Sequence, residues 1–155
     1  MIANPPAIYK QNTEPVKLQE LLLKEFPKDQ IKYRPGRSGK QITYVEIYSV
    51  IDRLNEAFNC KWCWELKSYD ITDKQIYCLG RLTVRIDDEL VIKETFGGKY
   101  NLNNSNVGDD LKAASSDALK KAASLLGIGL YFHKDEQEIS PKQNNEKIKE
   151  YVNRW

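Results

Sequence analysis

Histidine occurs once in this 155-residue chain, at His133, and cysteine three times, at Cys60, Cys63 and Cys78. A single histidine with no acid–base partner beside it gives nothing from which to build a nucleophile–histidine relay or a histidine metal site. Three cysteines do not make an even disulfide framework. Cys60-Lys61-Trp62-Cys63 has C-x-x-C spacing. A redox motif wants a helix start after the first cysteine, however, and a zinc site wants a second ligand pair, so these thiols read as buried or incidental. Strong charge of one sign is missing too. Lys and Arg number 24 against 22 Asp and Glu, a net +2, so any basic surface has to arise from local clustering. No apolar run approaches the ~20 residues that cross a bilayer, and Met1 to Lys10 lacks the basic-then-apolar layout of a signal peptide. The expectation is a soluble cytosolic protein. The G-x-x-x-x-G-K-[ST] phosphate loop is absent, and there is no internal repeat.

What is present is a globular composition, 41% hydrophobic and 30% charged, enough for one domain with a real core. Its most ordered stretch runs from Asn106 through Gly127-Ile128-Gly129-Leu130-Tyr131-Phe132. Leu111, Ala114, Ala118, Ala122, Leu125 and Leu126 recur at three- and four-residue spacing, one apolar helix face. Asp109 and Asp110 suit the positive end of the helix dipole, and Gly127 stands where a left-handed C-cap is expected. The apolar face is narrow and mostly alanine, which permits close packing against a sheet or a neighbouring subunit. Lys112, Lys120 and Lys121 flank it. Solvated lysines on an ordinary amphipathic helix are one reading; cations held toward an anion are the other.

Upstream, Thr13 as N-cap and Val16 to Phe26 predict a helix with Leu18, Leu21, Leu22 and Phe26 on one face, stopped by Pro27. A short strand from Ile31 then runs into a basic loop, Lys32-Tyr33-Arg34-Pro35-Gly36-Arg37-Ser38-Gly39-Lys40. It is either a phosphate-contacting loop or a solvated hairpin turn. Tyr44 to Phe58 carries Ile47, Val50, Ile51, Leu54 and Phe58 at helical spacing, with Asn59 as terminator. Three strand-like runs follow: Trp62 to Ile71, Ile76 to Ile86, and Leu90 to Phe96 ending in Gly97-Gly98. Turns at Asp73-Lys74 and Asp87-Asp88 make them an antiparallel meander. In the second run Ile76, Cys78, Leu82, Val84 and Ile86 point one way, and Tyr77, Leu79, Arg81, Thr83 and Arg85 the other. Beyond Phe132 the chain is charged and rich in Gln and Asn, with a last helix expected after Ser140 and Pro141.

Catalysis is poorly supported. Asp70, Asp73, Asp87, Asp88, Glu89 and Glu94 do not combine with Lys93 into a convincing metal-dependent nuclease site. No cofactor or metal is expected. Nucleic-acid binding fares better, because cations cluster from Lys32 to Lys40 and from Lys112 to Lys121, with Arg81 and Arg85 on the sheet. Tyr33, Tyr44, Tyr77 and Tyr100 are available as stacking surfaces.

The order helix, basic loop, helix, meander and long Ala/Lys helix resembles the Rad fifty-two/Rad twenty-two family of single-strand annealing proteins, in its DdrA-like or phage-recombinase-like form. The matching stretches are Tyr44-Val45-Glu46 to Asn55-Glu56-Ala57-Phe58, Phe96-Gly97-Gly98, and Asp117-Ala118-Leu119-Lys120-Lys121-Ala122-Ala123 to Leu126-Gly127-Ile128-Gly129-Leu130-Tyr131. The resemblance implies an α+β fold, a three-stranded antiparallel meander packed on a long helix with flanking N-terminal helices. It implies assembly into an oligomeric ring or filament. It also implies single-stranded DNA held by its backbone in a basic groove and annealed without ATP. On this resemblance Arg34 and Lys120 are the inner-site cations, Lys121 follows as the next basic residue, and the Pro35 to Lys40 loop supplies Arg37 and Lys40. Lys32, Lys112, Arg81 and Arg85 complete the candidates. Ser124 stands where some relatives carry a further basic residue. The domain plan is then an arm over 1–12, an annealing and oligomerisation domain over 13–132, and a polar linker with a short helix over 133–155. Partners would be single-stranded DNA, further copies of the chain and a single-strand-binding protein. Mediator activity is not expected without a longer C-terminal region. A coating or end-protecting protein that does not anneal is the alternative, and a nuclease the third reading.

Overall fold

The computed structural model describes residues 15–36, 39–100 and 106–132. The Thr13 cap, Arg37, the N-terminal arm and the expected last helix lie outside the described residues. In chain order the elements are helix α1 (Pro15–Leu23), a 3-10 turn (Lys28–Gln30), strands β1 (Ile31–Pro35) and β2 (Gln41–Val45), helix α2 (Ile47–Phe58), strands β3 (Trp62–Ile71), β4 (Gln75–Ile86) and β5 (Glu89–Tyr100), and helix α3 (Val107–Ser124). The fold is α+β, with a two-stranded sheet β1-β2 and a three-stranded antiparallel sheet β3-β4-β5.

The meander forms because period-2 alternation gives it one apolar face. Ile76, Cys78, Gly80, Leu82 and Val84 of β4 are buried, and Tyr77 and Arg85 on the opposite face are exposed or partly so. Asp87 and Asp88 take φ of 47° and 65°, the left-handed pair that a tight two-residue hairpin needs. β5 does not stop at Gly97-Gly98 as its glycines suggest but continues to Tyr100. Gly97 is a packing residue here. A Cβ at this position would collide with the backbone of Ala114 and Ala118, so its absence lets α3 lie directly on the sheet. Two side-chain bonds fix that contact: Thr95 Oγ1 donates to Ala118 O at 2.7 Å and Trp64 Nε1 to Ser115 Oγ at 3.1 Å.

α3 is buried on two sides. Ala114 and Ala118 pack with Ile76 and Cys78. Leu119, Ala122 and Ala123 join Leu22, Phe26, Val45, Val50, Leu54, Phe58 and Leu82 in the larger core. Fully burying residues such as Leu54 and Leu82 contributes roughly 1.5–3 kcal/mol each. Leu125 is 55% exposed rather than part of the apolar face, because the buried surface swings toward α1 and α2 in the last turns. The helix closes on Gly127, whose φ is +109°. Ile128 N–H donates to Ala123 O and Gly127 N–H to Ser124 O, a Schellman pattern with Gly127 at the left-handed position. At the other end the Asn106 side chain accepts from Gly108 N–H at 3.0 Å, satisfying one orphan donor.

α1 ends at Leu23, before Phe26, which is nevertheless buried. Arg53 of α2, only 6% exposed, donates from Nη1 to Leu21 O and Lys24 O at 2.8 and 2.6 Å. It lies 4.7 Å over the Phe26 ring, so a buried guanidinium caps the end of α1. β2 is the element the spacing did not predict. Gln41 to Val45 pairs back on β1, and α2 begins only at Ile47.

Candidate nucleic-acid interface

The β1–β2 hairpin sets the cations' direction. Lys32 lies opposite Tyr44 and Arg34 opposite Ile42, and directly opposed residues share a face. Lys32, Arg34, Ile42 and Tyr44 therefore project together. Gly36 N–H donates to Lys40 O at 2.6 Å at the hairpin's end, and Gly39 there takes φ of +74°.

α3 meets this face through Lys120. Arg34 Cζ lies 5.5 Å and Lys120 Nζ 5.7 Å from the centroid of the Tyr44 ring. Both distances fall within cation–π range. Two cations separated by 86 positions in sequence thus converge on one aromatic ring. Burial pushes the Lys120 amine below its usual range. Asp117 and Glu46 pull it back up, and Arg34 and Lys121 add to the lowering. An ammonium held half-buried beside a guanidinium gains from an anion more than a solvated lysine does.

The neighbouring charges are arranged around that pair. Lys32 Nζ stands 3.4 Å from Glu46, and Lys121 Nζ stands 2.8 Å from Asp117 Oδ2. The same Asp117 oxygen accepts Gly98 N–H at 3.0 Å. Among the described residues neither Arg34 nor Lys120 forms an ion pair, so the two cations at the centre are the ones left for a ligand. Four cations against two carboxylates leave the cleft between hairpin and helix positive.

The remaining candidates lie elsewhere. Lys112 is nine residues from Lys121, about half a turn around the helix, and pairs with Asp109 at 3.2 Å. Arg81 Nε is 2.7 Å from Glu94 across the strands. Arg85 Nη1 donates to Asp88 O at 3.0 Å inside the β4–β5 turn. Lys40 is exposed at the hairpin's end. The structure therefore brings Arg34, Lys32, Lys120 and Lys121 together, and leaves Lys112, Arg81 and Arg85 each engaged with a local partner. Sequence reasoning missed the acids, Asp117 and Glu46. The four-residue spacing from Asp117 to Lys121 was the available signal for the first. The second is legible only once β2 is known to end beside it.

The sheet face opposite α3 is mixed, with large apolar side chains on either side of the Arg81–Glu94 pair. Phe96 is 63%, Leu90 60% and Ile92 50% exposed, and the register sets Phe96 beside Leu79, Ile92 beside Thr83 and Leu90 beside Arg85. On the α3 side, the β3 edge exposes Leu66, Tyr69 and Ile71. Among the described residues no three His, Cys, Asp or Glu are grouped to hold a metal ion, and no helix is long and apolar enough to cross a membrane.

A long helix laid on a three-stranded meander, with a basic hairpin folded against its lysines, defines a small α+β domain with one basic cleft. The model of the Rad52/22 family of double-strand break repair proteins matches residues 14–151, and the chain belongs to that family. Its members act in DNA repair and recombination, bind and anneal DNA and self-associate; they are annealing proteins rather than enzymes in the ordinary sense. No curated protein matches the chain.

Proposed function

We propose that this protein binds single-stranded DNA along the cleft between the β1–β2 hairpin and α3, and anneals complementary strands without a nucleotide. The convergence of Arg34 and Lys120 on Tyr44 carries this reading. Two cations about equally far from one ring, fed from two different elements, make a site for a phosphate rather than for a base edge. Lys32, Lys121 and Lys40 extend the basic surface on either side. Annealing needs strand charge neutralised and bases left accessible for pairing, which a backbone-gripping cleft supplies.

Self-association would use the apolar surfaces away from the cleft. Leu90, Ile92, Phe96 and Leu79 on one sheet face, and Leu66, Tyr69 and Ile71 on the other side, cannot cover one another within a protomer. Pairing the first set of one copy with the second set of the next is a head-to-tail contact. Such contacts generate rings or filaments.

The test mixes the full chain with two labelled complementary oligonucleotides in the absence of ATP and metal. Pairing faster than in a protein-free control supports the proposal. Tight binding without acceleration favours a coating protein, and absence of binding contradicts both.

A further inference from the structure

The carboxylate of Asp117 takes up the ammonium of Lys121, one of the four cations beside the cleft. Its Oδ2 is 2.8 Å from Lys121 Nζ, and it is held there by Gly98 N–H at 3.0 Å. The bond to Gly98 comes from the β5 backbone, so the carboxylate stays in place when Lys121 turns toward a ligand. Its charge also reaches Lys120, whose amine it pulls toward the protonated form. The side chains of Asp117 and Lys121 are 35% and 48% exposed, so the pair lies at the surface where a strand can meet it.

We propose that Asp117 is a built-in competitor for the strand. It occupies Lys121 in the free protein, re-forms that pair as a phosphate leaves, and so speeds release of DNA from the cleft. It is a positioning residue, since it holds Lys121 and repels the strand without gripping it. An annealing protein has to let its product go, and a grip limited by an internal anion suits that need better than an unopposed row of cations. In an assembly the small effect of one carboxylate repeats at every subunit along the strand. This inference rests on the cleft between hairpin and α3 being the DNA site.

The test uses full-length Asp117→Asn, which removes the charge and keeps an oxygen to accept Gly98 N–H. Asp117→Ser takes its place if the first variant folds poorly by thermal melting. A labelled oligothymidine is dissociated by an unlabelled chase, and annealing is followed on the same samples. The charge-free variant should release the strand about two- to fivefold more slowly, the range of an exposed ion pair. Affinity should rise by the same factor and annealing turnover should slow. The effect should shrink in a Lys121→Met background, where only the repulsion of the strand and the pull on Lys120 remain, which a structural role for Asp117 would not require. Release as fast as wild type overturns the inference, provided binding still depends on Arg34 and Lys120. Loss of that dependence in the Asp117-intact protein overturns the cleft assignment instead.

Discussion

Replacing Lys120 by Met is expected to weaken DNA binding without weakening the fold. The amine is half-buried and its pKa is pushed down by burial, so the folded chain carries its charge at a disadvantage. Across the interval between that lowered pKa and 10.5 the folded state binds fewer protons than the unfolded chain, and stability rises with pH. The disadvantage is therefore fully present at neutral pH. Met keeps the stem's apolar contacts and removes it. Met also gives up the contact with the Tyr44 ring, which offsets that gain, so unfolding stability should stay within about 0.5 kcal/mol of wild type, about 1–2 °C in melting temperature for a chain of this size. Binding should move the other way. Each phosphate contact on a single strand contributes about 0.7 to the salt slope, so losing one makes a fourfold change in salt count about 2.6-fold less. Phosphate favours the protonated amine, so wild-type affinity is full below the lowered pKa and falls as pH rises through it; the variant lacks that limb. Thermal melting and fluorescence anisotropy with a labelled oligothymidine across salt and pH read all three. An unchanged salt slope, or destabilisation beyond about 1 kcal/mol, would refute the reasoning.

Three other outcomes follow from particular contacts. Tyr44→Phe keeps the ring between Arg34 and Lys120 and should bind oligothymidine within about twofold of wild type. Tyr44→Leu loses two cation–π contacts, each worth about 0.5–1 kcal/mol, and should bind more weakly in the same anisotropy titration. Gly97→Ala places a methyl against the α3 backbone at Ala114 and Ala118; denaturant melts should show a loss of about 2 kcal/mol or more, since a backbone and not a flexible side chain has to yield. Phe96→Asp puts a charge in the exposed apolar row and should shift the assembly to smaller species in analytical ultracentrifugation while the isolated fold persists.

The parts of the fold that were legible are those governed by periodicity. Alternation over Ile76 to Ile86 named both faces of β4 correctly, and alanine spacing located α3 and its contact with the sheet. Asn59, at φ 51°, ends α2 as its residue type suggests. What escaped was decided by tertiary contact. Gln41 to Val45 has no strong pattern of its own and becomes a strand because β1 lies beside it. Gly97 looks like a strand end in sequence, yet it continues the strand because a helix needs the space above it. Lys112 and Lys121 look like one basic flank until nine residues are wound around a helix. The pairing of Arg34 with Lys120 was expected only from the family resemblance. Nothing in their spacing says that Tyr44 will bring them to a common ring, because that depends on how the hairpin folds over α3.

The most direct measurement is a double-mutant cycle on single-strand affinity with Arg34→Ala, Lys120→Ala and the pair together. If both cations grip one phosphate beside Tyr44, each single change weakens binding and the double change costs clearly less than the two added, since the second loss removes a contact already broken. Strictly additive losses would place them on separate phosphates, and no loss from either would contradict the cleft as the DNA site.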